Sequence, residues 1–217
     1  MSLLHSIGLL DTILVAIAFL LFLGYWSIMS YSLKIFGAFI GFSFLIQTSS
    51  FTIPYLGYHN LWLLHIFTLG EFIILSLFYR QLFTKNPKLK QFIAYFLPIG
   101  SLLIILNTIF LQSLTEYNSY AKTFVQCFTI AYSVYYFYIL STREILTEQR
   151  FKALHLINSA ILLYYAGSFF IFMFANISVL ISGEMSTSFW DFNAFLYLTF
   201  LILVLISLYK TITSERI

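Results

Sequence analysis

Charge is what this sequence has least of. Only 9% of its 217 residues are charged, while 61% are hydrophobic; soluble domains carry roughly 25% charged residues. A water-soluble fold of this composition would expose apolar patches large enough to aggregate. That excludes a soluble globular protein, and no polar stretch remains from which to build a soluble domain. Cysteine is nearly absent. Cys127 stands alone in an apolar run, which excludes an internal disulfide and a cysteine metal site; it is expected to be a packed small residue. Prolines number three. Pro54 and Pro87 are expected in loops, and Pro98 within an apolar segment, where it should kink a helix and free a carbonyl. No Lys or Arg precedes the first apolar run, and Asp11 lies inside it. That run therefore reads as a retained span rather than a signal peptide.

Catalytic signatures are missing too. There is no His-Glu-x-x-His, no Gly-x-Ser-x-Gly and no Walker loop. His5, His59, His65 and His155 are scattered along the chain, so neither a three-histidine hydrolase nor a haem site is expected. The last apolar segment has no lysine above Lys210, which removes a retinal Schiff base. No metal, no cofactor and no catalytic residue is assigned. The net charge of +3 does not point to nucleic acid, because the basic residues fall on one side of the membrane.

What is present is a series of apolar segments of about 20 residues, the length a helix needs to cross the hydrocarbon core. They lie near 8–27, 34–53, 61–80, 91–111, 119–140, 154–176 and 189–209. The fold class is all-α: one integral membrane bundle of seven transmembrane helices over 1–217. One set of connections carries Lys34, then Arg80, Lys85, Lys88 and Lys90, then Arg143, Arg150 and Lys152, then Lys210 and Arg216; the other carries only Lys122. Basic residues stay cytoplasmic, so the N-terminus is expected outside and the C-terminus in the cytoplasm. The stretch 80–90 should rest on anionic headgroups, and 141–152 reads as a short interfacial helix. Phe is expected to face lipid, with Tyr and Trp at the interfaces. Gly37 and Gly41 form a Gly-x-x-x-Gly pair, read as internal packing rather than dimerisation. A shift of 128 residues lays the third segment over the seventh, matching Trp62 to Trp190, Phe67 to Phe195 and Phe72 to Phe200. Two three-span repeats around a linker span are a known transporter plan.

The candidate site centres on Glu71, near the middle of the third span. A charge there costs at least about 2.5–3.5 kcal/mol, so it should face the protein interior or a watered cavity. No Lys or Arg is expected at its depth. Glu71 is therefore expected to hold a proton, or to be partnered by His65 or a ligand cation. Thr68 lies between them on the same ridge, and Gly70 leaves room for a close neighbour. Gln47, Asn107, Gln126, Tyr164, Ser168 and Asn193 add polar groups at similar or outer depth. Asp11 and Asp191 read as solvated interface residues or helix starts favoured by the dipole. Together these positions predict a polar cavity open outward and closed below by apolar packing.

The segments NLWLLHIFTLGEFIILSLFYRQLF, EYNSYAKTF and NSAILLYYAGSFFIFMFANI resemble a group of small uncharacterised bacterial seven-transmembrane proteins. The plan is also similar to the seven-span sensor modules of histidine kinases, without the kinase. The resemblance implies a bacterial inner-membrane protein feeding a separate signalling partner, and it transfers no catalytic residue. Four readings stay open. The first is a receptor-like or sensory subunit, which takes a small or lipidic ligand from outside and acts on a protein at the cytoplasmic face. The others are a proton-coupled transporter with a 3+1+3 plan, a structural subunit of a complex, and a lipid-modifying enzyme using Glu71 and His65.

Overall fold

A computed structural model describes residues 3–142, 149–181 and 183–214. The chain is helical almost throughout. The helices are α1 (Leu3–Gly24), α2 (Tyr31–Tyr55), α3 (Trp62–Leu82), α4 (Pro87–Phe110), α5 (Ser119–Thr142), α6 (Gln149–Met173), α7 (Ala175–Ile181) and α8 (Gly183–Ser214). Six of them are long and apolar enough to cross a membrane, and the apolar part of α1, Gly8–Gly24, is shorter. This is a multi-pass helical membrane protein, the architecture that satisfies every backbone group without water.

Several expected boundaries move. Ser30 caps α2 by accepting from the Leu33 N–H, and Asn86 caps α4 by accepting from the Leu89 N–H. Pro87 is thus the first residue of α4, where its missing N–H costs nothing, and Pro54 lies in the last turn of α2, so neither is a loop residue. Most of the expected loop 177–188 is helix: α7 follows α6 after one residue, and α8 begins at Gly183. Residues 143–148, most of the expected interfacial helix, lie outside the described residues.

Packing arranges six helices as a closed ring. α1 packs on α2 and α8, α3 on α2 and α5, and α6 on α5 and α8. α4 lies outside this ring, against α3 and more lightly α5, and buries little beyond Ile93, Gly100, Ile104 and Asn107. That order fits two three-helix halves around a linker. The residue matches of the 128 shift do not follow, because Phe67 lines the interior cavity described below while Phe195 is exposed. Similar residues in a Phe-rich chain recur without similar surroundings.

The aromatics are not mainly a lipid-facing coat. Phe22, Phe36, Phe78, Tyr79 and Phe200 are buried in one core, with Phe36 in ring contact with Phe22, Phe78 and Phe200. Gly37 and Gly41 do serve internal packing: a Cβ at either would meet the α1 rings of Phe22 or Phe19 at 2.7 and 2.6 Å. Gly70 likewise admits the ring of Phe42. Cys127, expected to be packed, is exposed.

Candidate functional site

The polar centre of the ring is built by α3, α5 and α6. Glu71 is fully buried, and the Nζ of Lys122 donates to both its carboxylate oxygens, at 2.7 and 2.6 Å. The Tyr165 hydroxyl donates to Oε1 at 2.6 Å. The rest of the ammonium is enclosed by rings, lying 4.9 Å from the centroids of Phe67 and Phe172 and 5.6 Å from that of Tyr165. A buried ion pair repays its desolvation only when its remaining bonding capacity is met. Tyr165 and the ring faces meet it here.

The expectation that no cation reaches Glu71 is therefore overturned. It took Lys122 for a residue of the turn that flanks the α4–α5 connection, residues 111–118. Leu111 and residues 113–116 are indeed exposed, but the end of the connection turns inward. Asn118 is buried and donates to the Leu64 carbonyl at 3.0 Å and to Thr68 Oγ1 at 2.7 Å. α5 thus starts level with the second turn of α3. Lys122, four residues further along and about 6 Å deeper, arrives level with Glu71. The dipped segment is held by Gln112, which donates to the Tyr117 carbonyl and Ser119 Oγ and accepts from the Tyr120 N–H. Asn176 adds a donor to the same carbonyl and accepts from the Tyr117 N–H.

That network absorbs two of the candidate residues. His65 pairs Nδ1 with Thr108 Oγ1 at 3.0 Å and Nε2 with the Glu116 carbonyl at 3.2 Å, so it does not partner Glu71. Asn107 donates to Gln112 Oε1. Both fasten the connection rather than face a ligand. Gln126 and Ser168 are buried and bonded to each other at 2.9 Å, one turn along α5 from Lys122.

A cavity of about 590 Å³ lies over this centre. Every ring helix contributes to its wall and α4 contributes nothing. It sits at the end of the bundle where α1, α3, α5 and α8 begin and α2 and α6 end. Of the sequence candidates it collects Gln47, Thr68, Tyr164 and Asn193, with Lys122 also in its wall. Glu71, His65, Asn107, Gln126 and Ser168 do not line it. Phe51, Phe67, Phe172, Trp190 and Tyr197 make much of the remaining surface. Further toward the opposite end, Tyr79 of the aromatic core donates to Asn158 Oδ1 at 2.8 Å, and Asn158 donates to the Ser133 carbonyl, tying α3, α5 and α6 together.

Asp11 also lines the cavity and is only 3% exposed. It lies eight residues into α1, and Asp191 equally lies eight residues into α8. Neither is a helix start, and Asp11 is not solvated at an interface. Lys122, Tyr165, Asp11 and Tyr197 are the residues that sequence reasoning left out of the site. The available signal was Lys122 itself, the single basic residue on its side of the chain. Among the described residues no group of three metal-binding side chains occurs.

No family model, curated protein or solved structure matches this chain.

Proposed function

We propose that the chain is a receptor-like membrane protein that binds a small ligand in this cavity and signals through a partner protein at the opposite face. The observation that carries the reading is the cavity itself. Its volume falls in the range of small-molecule sites, about 300–1,000 Å³. It is walled by six helices, floored by a satisfied ion pair and closed below by buried aromatics. A site that touches every ring helix is placed to bias their packing on occupancy.

In this reading all seven crossings are used, with α1 as the first. The cavity end faces outward, because the cluster Arg80, Lys85, Lys88 and Lys90 belongs to the other end. The membrane is the bacterial inner membrane, as the resemblance implies. The test replaces Ala194, in the cavity wall, by Cys in a Cys127→Ser background. A membrane-impermeant thiol reagent is then added to intact cells and to inverted vesicles. Labelling from the outside alone is expected. Labelling from the cytoplasmic side alone, or from neither side, overturns the reading.

A second reading, a transporter, is favoured by one observation: the ring order with α4 outside it suits a 3+1+3 plan. It predicts that Ala194→Cys reacts from each side in turn as the cavity alternates, and that proteoliposomes take up a solute.

A further inference from the structure

The cavity holds an acidic side chain that nothing in the protein pairs. Lys122 is neutralised by Glu71 behind it. The other charged group in the wall is Asp11, whose Oδ1 is buried and has no hydrogen-bond partner. Three nearby donors are committed elsewhere. Thr12 donates to the Gly8 carbonyl, Gln47 to Thr12, and Ser43 to the Phe39 carbonyl. Asn193, also in the wall, has a buried Oδ1 without a donor. The site therefore offers two buried acceptor oxygens without a donor, Asp11 Oδ1 and Asn193 Oδ1, beside aromatic walls.

From this we infer that the ligand is a small organic ammonium, whose N–H groups bond Asp11 and Asn193 while its apolar body lies against the aromatic wall. The inference rests on the cavity reading above and names its ligand class. A buried carboxylate without a counter-ion is strongly unfavourable, so a cation that supplies charge and donors together gains both terms. Ring faces add attraction for a cation that a neutral or anionic ligand lacks. An anion would have to displace Glu71 from Lys122 and would face Asp11 as well. A bare metal ion would leave most of a 590 Å³ space unused.

The experiment measures labelling of Ala194→Cys in the Cys127→Ser protein, reconstituted in nanodiscs. Phenethylammonium, 2-phenylethanol and 3-phenylpropanoate are compared, in sodium and in potassium buffer. At about ten times its dissociation constant, phenethylammonium should cut the labelling rate roughly tenfold, with little effect from the alcohol or the carboxylate. Asp11→Asn, nearly isosteric, should abolish that protection while the cysteine still reacts. Equal protection by the alcohol, protection by the carboxylate, protection by sodium alone, or no protection by the ammonium would each overturn the inference while a reactive cysteine leaves the cavity standing. An unreactive cysteine would remove the cavity and the inference together. If Asp11→Asn does not fold, the comparison of the three compounds in the parent protein still decides.

Discussion

Lys122 and Glu71 are at once the most expensive residues in the chain and the most informative. Each is almost wholly buried, and each is tolerable only because of the other. Removing one partner leaves an uncompensated charge in a low-dielectric interior, at a cost of about 3–5 kcal/mol. Lys122→Met and Glu71→Gln should each destabilise the protein by that order, measured by reversible unfolding in mixed micelles. The double variant removes both charges and should cost clearly less than the sum of the two. Additive losses would mean that the pair does not act as a unit. Tyr165→Phe removes one charge-assisted bond to Oε1 and should cost about 1.5–3 kcal/mol. At this scale the sequence was half legible. The carboxylate stood out because an acidic residue in the middle of an apolar run has few structural explanations. Its partner did not, because a lysine four residues into a helix looks like an interfacial residue until the start of that helix is known to be deep.

The element that hides the lysine is the connection between α4 and α5. Hydropathy places its residues at the surface, since Gln112, Ser113, Thr115, Glu116 and Asn118 are all polar. Only the network of His65, Asn107, Gln112 and Asn176 shows that Gln112 and Asn118 are drawn inward while residues 113–116 stay exposed. His65 and Asn107 read from sequence as cavity or cross-helix groups because a polar residue in a span carries no label for its partner. Gln112→Ala would orphan the Tyr120 N–H and the Asn107 amide N–H, at about 1–3 kcal/mol for each group left unsatisfied. Amide exchange should then quicken through 111–120, while the α3–α4 turn at 83–86 stays as slow as before. Equal quickening at both ends would show global loosening instead. Gly70 acts across elements as well. Gly70→Ala puts a methyl against the Phe42 ring, which stacks on Phe67 at 5.8 Å, and Phe67 covers the Lys122 ammonium. Overpacking of this kind costs about 1–3 kcal/mol, and here it should be felt by the ion pair as well as by the α2–α3 contact. The placement of the long apolar helices was legible, because a run of about 20 apolar residues has one stable solution in a bilayer; the short α7 was not, since its residues 177–181 fall in a stretch read as a loop.

For the whole molecule, the open quantity is its direction in the membrane, and the structure sharpens the charge argument for it. The one basic residue that spoiled the asymmetry, Lys122, is not a loop charge at all; it is buried and paired. What is left at the cavity end is a surface without lysine or arginine. The opposite end carries Lys34, Arg80, Lys85, Lys88, Lys90 and Lys210 on described helices and turns. Basic residues held on the cytoplasmic side set orientation when they lie close to the span ends, as these do. A fluorescent reporter that matures only in the cytoplasm, fused after Ile217, should therefore be bright, and a periplasmic phosphatase fused there should be inactive. Replacing the four basic residues of 80–90 by glutamine weakens the largest block and should yield a mixed population of reporters. Replacing Lys122 by glutamine should not alter the orientation at all, although it destabilises the fold. If Lys122→Gln instead shifts the reporters, then the lysine is read as a flanking charge during insertion. The ion pair with Glu71 would then form only after the bundle has closed around it.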